Sequence, residues 1–525
     1  MSNQNSDEKP GIDTVESVNN NLLDTEKGST ARIIDDIRVI GLTEDEAEFY
    51  ASFSPQRRKN VTKKIDRRLV PILAILYLIS HIDRANIGNA KIEGLNTDLG
   101  LNGLQWNIVL SLFFVPYVLL EVPSNILLKK FSRPSRYLGT LVMIWGIIMT
   151  LHGVVQNFGG LLAVRLLLGT FEAGFFPGAV YLCTFWYMPR DLSQRISWFY
   201  CTSALSGAFS GLLAAAIAKM DGVGGYEGWR WIFLLEGIAT VFLGVATFLF
   251  LIDSPALSTK WLDADEIRFL ELQLCIKQGG RQVSGETVSK FRWDDLWAVL
   301  GNWRIYLQIC ILLCNSACSY GTKFTLPSIA EAMGFQNTDA QLMTAPPYIC
   351  GAISTLIFSR LSDRFYWRMP FIFIPLLFIA VGYSILIGLK GDLEGQLGAS
   401  YTAVILTCIG IFPLQPIGSS WNANNIAPTS RRAIGVAFNI ASGNIGGIIG
   451  SYIYLDRESP YYWTGFGVSL GISVLALVAS VVLELSYKTS NDRKANLTEE
   501  DVRSKYSEED LLRLGDKSPL FKYIL

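Results

Sequence analysis

Twelve long apolar stretches restrict what this chain can fold into more than any other feature of its sequence. About 20 residues of α-helix cross the roughly 30 Å hydrocarbon core of a bilayer, and a helix satisfies its backbone hydrogen bonds internally, as that environment requires. The stretches form two sets of six, which predicts an all-α polytopic membrane protein. We number them spans one to twelve, and they cover residues 69–90, 105–128, 137–155, 160–184, 195–217, 229–252, 303–327, 339–359, 370–389, 400–418, 432–453 and 463–486.

The composition agrees with a membrane protein. Hydrophobic residues make up 50% of the 525 residues and charged residues only 17%, whereas a soluble chain carries about a quarter charged residues. The formal net charge of −1 argues against nucleic acid as a partner. The eight cysteines lie mostly within apolar runs, so they show no pattern of a secreted disulfide scaffold.

Polar segments divide the chain into five regions. The first is rich in Asp, Glu, Asn and Ser, which indicates a disordered tail and not a signal peptide. The polar segment between spans six and seven contains an amphipathic helix pattern from Asp263 to Glu271 and is interpreted as a linker. The predicted regions are a cytoplasmic tail at 1–65, a six-helix bundle at 66–252, a cytoplasmic linker at 253–302, a second six-helix bundle at 303–487 and a second cytoplasmic tail at 488–525.

Lys and Arg are distributed unequally over the two ends of the spans. The loops after spans two, four, eight and ten hold eleven of them, whereas the opposite loops hold four, or five with Arg230 just inside span six. Because cytoplasmic loops carry the excess of Lys and Arg, we expect both termini in the cytoplasm. A basic cluster ahead of span one, residues 57–68, supports this orientation.

Two spans carry charges inside their apolar runs. Arg165 and Glu172 in span four are seven residues apart, which is two helical turns, so they share one face. Span one adds the adjacent pair Asp83 and Arg84. An ionisable group at bilayer depth costs several kcal/mol unless it is paired or faces a water-filled cavity. We predict a charge constellation in a transport cavity, with a structural ion pair between two helices as the alternative.

A charged loop follows span eight, from Ser359 to Arg368, and it resembles the G-x-x-x-D-R-x-G-R-R loop of the major facilitator superfamily. The loop after span two has the same basic spacing but a Lys where the acid belongs. Asp363, Arg364 and Arg368 are predicted to form a cytoplasmic gate, because an acid at a helix end can pair with Arg. A solvated charge run that fixes the topology is the alternative, and the two are compatible.

Several longer motifs follow one another in a fixed order. In the first half they are Asp83-Arg84-x-Asn86, Pro116-Tyr117 to Asn125, Arg165 to Gly178 and Gly228 to Gly237; in the second half they are Leu326-Pro327, Leu342 to Tyr348, Trp421 to Asn425 and Gly443 to Gly447. Together they resemble the fungal allantoate permease branch of the anion:cation symporter family. The resemblance implies the major facilitator fold, with two pseudo-symmetric six-helix bundles. The branch carries allantoate, nicotinate, pantothenate, biotin, dipeptides and sulfur compounds, so the resemblance implies mechanism better than substrate.

The resemblance also implies roles for individual residues. It extends to the bacterial D-galactonate transporter, by which Asp83 and Glu172 would bind the proton, while Arg84 and Arg165 would bind the substrate anion. A transported carboxylate that takes over an Arg would leave its acid free to bind a proton, which would couple the two. Further substrate-binding residues expected from the matched motifs are Asn86, Tyr117, Tyr348, Asn425 and Asn444.

Other polar residues of the spans have two interpretations. Lys323 stands where the family usually has a neutral residue, and it either adds positive charge to the cavity or extends to the external surface. Glu121 and Glu236 are interpreted as packing or gating residues near helix ends, with cavity carboxylates as the alternative. Cys310, Cys314 and Cys318 share a helical stripe, which we ascribe to helix packing and not to a metal site.

These features predict a proton-coupled symporter of a small organic anion such as nicotinate, pantothenate or allantoate, working by alternating access. We expect its partners to be the anion, a proton and the lipid bilayer, with no cofactor, no metal, no nucleic acid and no enzymatic activity. The chain is expected to be a monomer. The resemblance implies the plasma membrane, because an acidic exterior makes proton symport productive there, with the vacuole and the endoplasmic reticulum as the alternatives. A drug–proton antiporter would favour a Gly/Pro motif in span five, but Ser203 to Gly211 lacks proline. A nutrient sensor without transport is the second alternative.

Overall fold

The computed structural model describes residues 43–128, 130–277, 293–495, 497, 502, 504–507, 510–511 and 514–525. Every regular element that these residues form is helical, as predicted. The helices up to the linker are α1 (Glu44–Ser52), α2 (Pro55–Ile92), α3 (Leu95–Asp98), α4 (Gly103–Leu112), α5 (Phe114–Leu128), α6 (Pro134–His152), α7 (Phe158–Glu172), α8 (Phe175–Thr184), α9 (Pro189–Ile217) and α10 (Gly228–Phe250). The remaining helices are α11 (Ala264–Lys277), α12 (Trp293–Leu300), α13 (Trp303–Ala332), α14 (Asn337–Met343), α15 (Ala345–Phe365), α16 (Pro370–Gly388), α17 (Leu397–Asn424), α18 (Thr429–Ile453) and α19 (Trp463–Ala495).

Eleven stretches of the described chain are long and apolar enough to cross a membrane, and they coincide with predicted spans two to twelve. Span one, at 69–90, lies inside α2, a single helix of 38 residues. All twelve predicted spans are therefore helical. The fold agrees with two sets of six membrane helices.

Three of the spans are interrupted, and proline explains each interruption. Span two is divided into α4 and α5, span four into α7 and α8, and span eight into α14 and α15. Each break lies three to four residues before a proline, namely Pro116, Pro177 and Pro347. A proline has no backbone N–H to donate to the carbonyl four residues earlier, and its ring collides with that carbonyl, so the helix ends or bends there.

Small residues let the helices within each bundle approach closely. In the first bundle α6 packs along α10, and a Cβ atom at Gly146 would lie 2.7 Å from the backbone nitrogen of Val241. In the second bundle α13 packs along α18, where a Cβ at Gly450 would lie 2.7 Å from the carbonyl oxygen of Ala317. Such close approach is the main source of helix association in a bilayer, because lipid tails are as apolar as the helices.

The two bundles contact each other at their centre and toward one end. There α2 meets α13, with a would-be Cβ of Gly88 only 2.8 Å from the carbonyl oxygen of Phe324. On the other side of the interface the ring of Tyr348 on α15 covers Gly207 of α9. Polar contacts continue toward the loops 93–102 and 454–462, where Lys91 pairs with Asp456. The contacts thus lie on the side that the Lys and Arg distribution predicts to be external.

The predicted disordered tail at 1–65 is wrong for its last part. Residues 44–52 form α1, and Tyr50 and Phe53 stack on Phe269 of the linker helix α11 with ring centroids 5.1 and 4.4 Å apart. Lys64 of α2 also pairs with Glu266 of α11 at 2.8 Å. The helix predicted from Asp263 onward is present as α11. Residues 1–42 and 278–292 lie outside the described residues.

The second predicted tail also departs from its prediction. Helix α19 continues to Ala495, and residues 514–525, which we call the returning segment, pack against the ends of α17 and α19. The side chain of Asn425 both donates to the carbonyl of Ile524, at 2.9 Å, and accepts from its N–H, at 2.8 Å. Asn491 makes the same two bonds with the backbone of Tyr523. This part of the predicted tail is therefore ordered against the second bundle.

Candidate functional site

A buried ion pair joins α2 to α7 in the middle of the first bundle. The Arg84 guanidinium donates a hydrogen bond through Nε to Oε1 of Glu172 at 2.7 Å, and one terminal nitrogen lies 2.7 Å from the same oxygen in the ion pair. Ser80 donates to the same oxygen. Oε2 of Glu172 has no hydrogen-bond partner among the described residues. The charged residues predicted in spans one and four therefore meet, through Arg84 and Glu172.

Arg84 also reaches the other bundle. Its remaining terminal nitrogen donates to the hydroxyl of Tyr320 on α13 at 2.9 Å. The guanidinium lies over the ring of Tyr117, 4.7 Å from the centroid, and near Phe113, at 5.2 Å. Aromatic faces attract a cation through their quadrupole. The cation thus lies at the contact between the bundles, near two aromatic rings and paired with a carboxylate.

The carboxylate of Asp83 does not pair with the neighbouring Arg84. It turns toward α6 and α10, where Oδ2 accepts a hydrogen bond from Nε1 of Trp145 at 3.0 Å and a long one from Thr240 at 3.5 Å. Oδ1 has no partner in the part of the chain that the structure describes, and the residue is fully buried. Successive residues of a helix point about 100° apart, since a turn holds 3.6 residues. The adjacent residues Asp83 and Arg84 therefore do not pair with each other, and Glu172 is the acid that Arg84 contacts.

Arg165 lies on the same buried stripe of α7 as Glu172, as their spacing predicts. Its side chain is buried, yet Nε and one terminal nitrogen find no hydrogen-bond partner among the residues described. Leaving a buried donor unsatisfied costs about 1–3 kcal/mol, and more for a charged group. Such a cation is an arrangement that an anionic ligand can complete.

Glu236 and Glu121 lie within helices, and not near helix ends as expected. Glu236 is buried in α10, and neither of its carboxylate oxygens has a partner in the described ranges. Oε2 of Glu121, on α5, accepts a hydrogen bond from Asn444 on α18 at 3.3 Å. Glu236 is therefore a further buried acid of the first bundle, whereas Glu121 takes part in the contact between bundles.

Lys323 lies in the interior and does not extend to the outer surface. Its Nζ is 3.2 Å from Nδ1 of His81 on α2 and donates to the carbonyl oxygen of Ser203 on α9 at 3.3 Å. No described carboxylate lies within 4.0 Å of this nitrogen. The buried position argues against the interpretation in which Lys323 extends to the external surface, and added positive charge in the cavity stays a prediction. The sequence did not indicate the contact with His81.

The other five predicted substrate-binding residues lie in different parts of the structure. Tyr117 lies beneath Arg84, and Asn444 contacts Glu121. Oδ1 of Asn86 accepts a hydrogen bond from Ser210 of α9 at 2.8 Å, while Tyr348 is buried against Gly207. Asn425 is a wrong assignment, because both ends of its amide are bound to the backbone of the returning segment.

The predicted gate residues interact within one bundle. Arg368 pairs with Asp363 at 2.6 Å and donates to Ser362 at 2.9 Å. Arg364 is exposed. The Asp363–Arg368 pair closes the turn between α15 and α16, and gating by these residues stays a prediction.

A family model described as Major Facilitator Superfamily matches residues 73–451 and 308–522. The MFS-type transporter cnsO of Penicillium expansum is 34% identical over 513 residues, covering 96% of this chain and 98% of that protein. The high-affinity nicotinic acid transporter of Saccharomyces cerevisiae is 29% identical over 491 residues, covering 93% and 89%. A solved structure of a bacterial homologue of the human lysosomal transporter Spinster, inward-facing and occupied, matches with a TM-score of 0.60 at 16% identity, covering 80% of this chain and 96% of that one.

Proposed function

Because this chain belongs to the Major Facilitator Superfamily, we propose that it is a secondary transporter that carries a small organic anion together with a proton. It is a multi-pass membrane protein, and its curated relatives include named transporters. One observation carries the proposal. A cation at the contact between the bundles, Arg84, is held by an acid of its own bundle and by Tyr320 of the other.

Coupling follows from competition for this cation. A substrate carboxylate that binds Arg84 displaces Glu172, whose Oε2 already lacks a described partner. An unpaired carboxylate in a buried site is costly, so its release from Arg84 favours uptake of a proton. Anion binding and proton binding then favour each other, as linkage requires. The loaded site carries the same net charge as the empty one, which spares the moving bundles an added buried charge.

Arg165 and Lys323 supply further positive charge for the anion. Arg165 has unsatisfied donors on the face of α7 that carries Glu172. Lys323 comes from the second bundle and meets His81 of the first. Cations from both bundles let one bound anion contact both, so that the anion stabilises the closed contact between them.

The substrate class follows from the rings around Arg84. Phe113 and Tyr117 face the guanidinium, and Tyr320 binds its edge. Such walls suit a flat, aromatic monocarboxylate, whose ring stacks while its carboxylate binds the cation. Nicotinate has this shape, and a relative at 29% identity is a nicotinic acid transporter. Pantothenate and allantoate are the alternative candidate substrates.

We propose that both termini lie in the cytoplasm, on the excess of Lys and Arg at that end. The plasma membrane is proposed on the resemblance to the family, because an acidic exterior makes proton symport productive there. The bundle contacts near Lys91 and Asp456 would then close the outer side. Alternating access would open this side by a rocking motion of the two bundles.

Uptake by the purified chain in proteoliposomes tests the proposal. Labelled nicotinate, pantothenate and allantoate are offered with an inward proton gradient, with equal pH on both sides, and with the gradient plus a protonophore. We expect nicotinate to accumulate only with the intact gradient. Protein-free liposomes give the background.

Each other outcome refutes a stated part of the proposal. Saturable uptake that the gradient does not increase would remove proton coupling. Accumulation driven by an outward gradient would indicate an antiporter, and binding without uptake would indicate a sensor. Accumulation of pantothenate or allantoate in place of nicotinate would refute the aromatic substrate class alone.

A further inference from the structure

A large cavity opens on the side of the first bundle, apart from the buried charges. Its volume is about 1060 Å³, and its walls come from α2, the start of α6, the end of α10 and the chain that follows α10. It lies at the end of the bundle that carries the basic cluster 57–68. The lining combines side chains of two kinds, cationic and apolar.

Five cations line the cavity: Arg67, Arg68, Arg133, Arg136 and Lys260. All five are exposed, and within the described ranges none has a carboxylate within 4.0 Å. Arg68 lies over the ring of Trp261, 4.5 Å from its centroid. Asp253 also lines the cavity, but its Oδ1 already accepts a hydrogen bond from the backbone of Ser135 at 2.7 Å.

Neighbouring cations on the same end of the bundle are neutralised. Arg57 pairs with Asp265 at 3.1 Å, Lys64 with Glu266 at 2.8 Å and Arg195 with Asp66 at 3.0 Å. The cations of the cavity are thus a separate group, contributed by three segments of the chain, and five cations share the cavity with one described carboxylate, that of Asp253. Like charges repel one another, so an anion that bridges the segments would relieve this repulsion.

The apolar wall selects the kind of anion. Ile75 of α2 and Leu249 and Phe250 of α10 line the cavity with exposed fractions of 46%, 72% and 66%. In a membrane helix such surface faces lipid tails. Trp261 beside the cations is typical of the zone where tails meet headgroups. A molecule with an anionic phosphate head and an acyl tail matches both parts of the wall.

We propose that this cavity binds an anionic phospholipid. The headgroup phosphate is bound by the cations from α2, α6 and the chain after α10, and an acyl chain lies along Ile75 and Phe250. Basic recesses between membrane helices bind such headgroups in this way. The site requires only that the chain lies in a membrane, and it is independent of the proposed transport activity.

The test measures lipid binding by the purified full chain in detergent. Phosphatidylcholine, phosphatidylserine and a phosphoinositide are titrated separately; native mass spectrometry counts retained lipid and thermal unfolding measures stabilisation. We expect the anionic lipids to be retained and to raise the unfolding temperature, while phosphatidylcholine does neither. Equal retention of all three lipids would overturn the proposal.

A charge-matched pair of variants locates the site. Arg133→Ser with Arg136→Ser removes two cations of the cavity, whereas Arg360→Ser with Arg364→Ser removes two exposed cations of the second bundle that have no described carboxylate within 4.0 Å. Each cation near an anionic lipid contributes about fivefold, so the first variant should bind the anionic lipids about 25-fold more weakly. The second should bind like the wild type. Equal loss in both variants would show a general charge effect and overturn the site.

A third experiment distinguishes binding of the whole lipid from binding of its headgroup alone. The soluble inositol phosphate headgroup is titrated under the same conditions. We expect it to give no stabilisation at concentrations at which the phosphoinositide saturates, because the acyl chain contributes about 0.8 kcal/mol per buried CH₂, or roughly fourfold. Equal stabilisation by the headgroup alone would indicate a site for free phosphates and refute the lipid. All variants are first compared for unfolding temperature in phosphatidylcholine, where exposed Arg→Ser changes should leave the fold intact.

Discussion

Replacing Glu172 by glutamine isolates the proton-coupling step proposed for its ion pair with Arg84. The amide oxygen can still accept the hydrogen bonds that Ser80 and Arg84 donate to Oε1, so α2 and α7 stay joined. The amide takes up no proton at physiological pH. We therefore expect Glu172→Gln to exchange bound anion across the membrane while losing accumulation driven by a pH gradient.

The size of the effect follows from the energy of the gradient. One pH unit is worth about 1.4 kcal/mol per proton, so one proton per anion supports about tenfold accumulation per unit of gradient. The variant should reach a ratio of about one. In the folded Glu172→Gln variant, Arg84 still donates hydrogen bonds to the new amide oxygen and to the hydroxyl of Tyr320, the latter at 2.9 Å. Glu172→Gln and Glu172→Ala both remove the counter-charge of Arg84. Glu172→Ala also removes the acceptor of the hydrogen bonds from Arg84 and Ser80, so it should destabilise the fold more than Glu172→Gln and lower the free energy of unfolding by about 3–5 kcal/mol.

Two uptake formats separate exchange from accumulation. Proteoliposomes loaded with unlabelled nicotinate at equal pH report exchange, and empty ones with an inward proton gradient report accumulation. Asp83→Asn is measured beside Glu172→Gln; it should also lower exchange if Asp83 positions α6 and α10 through Trp145 and Thr240. If accumulation survives in both single variants, another acid carries the proton and the coupling reasoning fails. Glu236 would then be replaced next.

Three further outcomes are expected. Arg84→Ala and Arg165→Ala should each lower nicotinate uptake by roughly 10- to 100-fold with the protein still in the membrane, since each removes a charge-assisted contact. Arg360→Ala is the exposed control, and normal uptake in either cavity variant would contradict anion binding there. A cysteine at Asp392 should react with an impermeant reagent from outside and one at Arg364 only after permeabilisation, and the reverse would invert the topology. Asn425→Ala should lower the unfolding free energy by about 1–3 kcal/mol in thermal melts, with an unchanged KM for nicotinate; a raised KM would return Asn425 to the substrate site.

The fold could be predicted because the signal of a membrane helix is a local property of the sequence. A span must be apolar over about 20 residues whatever it packs against. Hydropathy alone therefore located span seven, which the structure shows as helix α13. The breaks before Pro116, Pro177 and Pro347 were not predicted from the sequence, although the missing N–H that causes them is a property of the residue itself. The ordered parts of the tails were not predicted either. Their helices and turns depend on distant partners, such as Phe269 for α1 and Asn425 for the returning segment.

The site was predictable as a set of residues but not as a set of pairs. Charges at bilayer depth stand out in any sequence, which identified Asp83, Arg84, Arg165 and Glu172. Which acid meets which cation depends on how far each helix is rotated in the bundle. Tyr320, the partner of Arg84 across the interface, carries no local signal, because buried tyrosines are common in membrane helices.

The Arg84–Glu172 pair has a consequence for the biosynthesis of the chain. Helix α2 reaches the translocon before α7 has been made, so Asp83 and Arg84 must enter the bilayer without Glu172. Each charge at a helix centre costs about 2.5–3.5 kcal/mol on insertion scales, or about 5–7 kcal/mol for the two. Span one is thus held only weakly in the bilayer until span four is inserted and Glu172 neutralises Arg84. Replacements of Glu172 would then act twice, once on transport and once on the fraction of nascent chains that escape quality control.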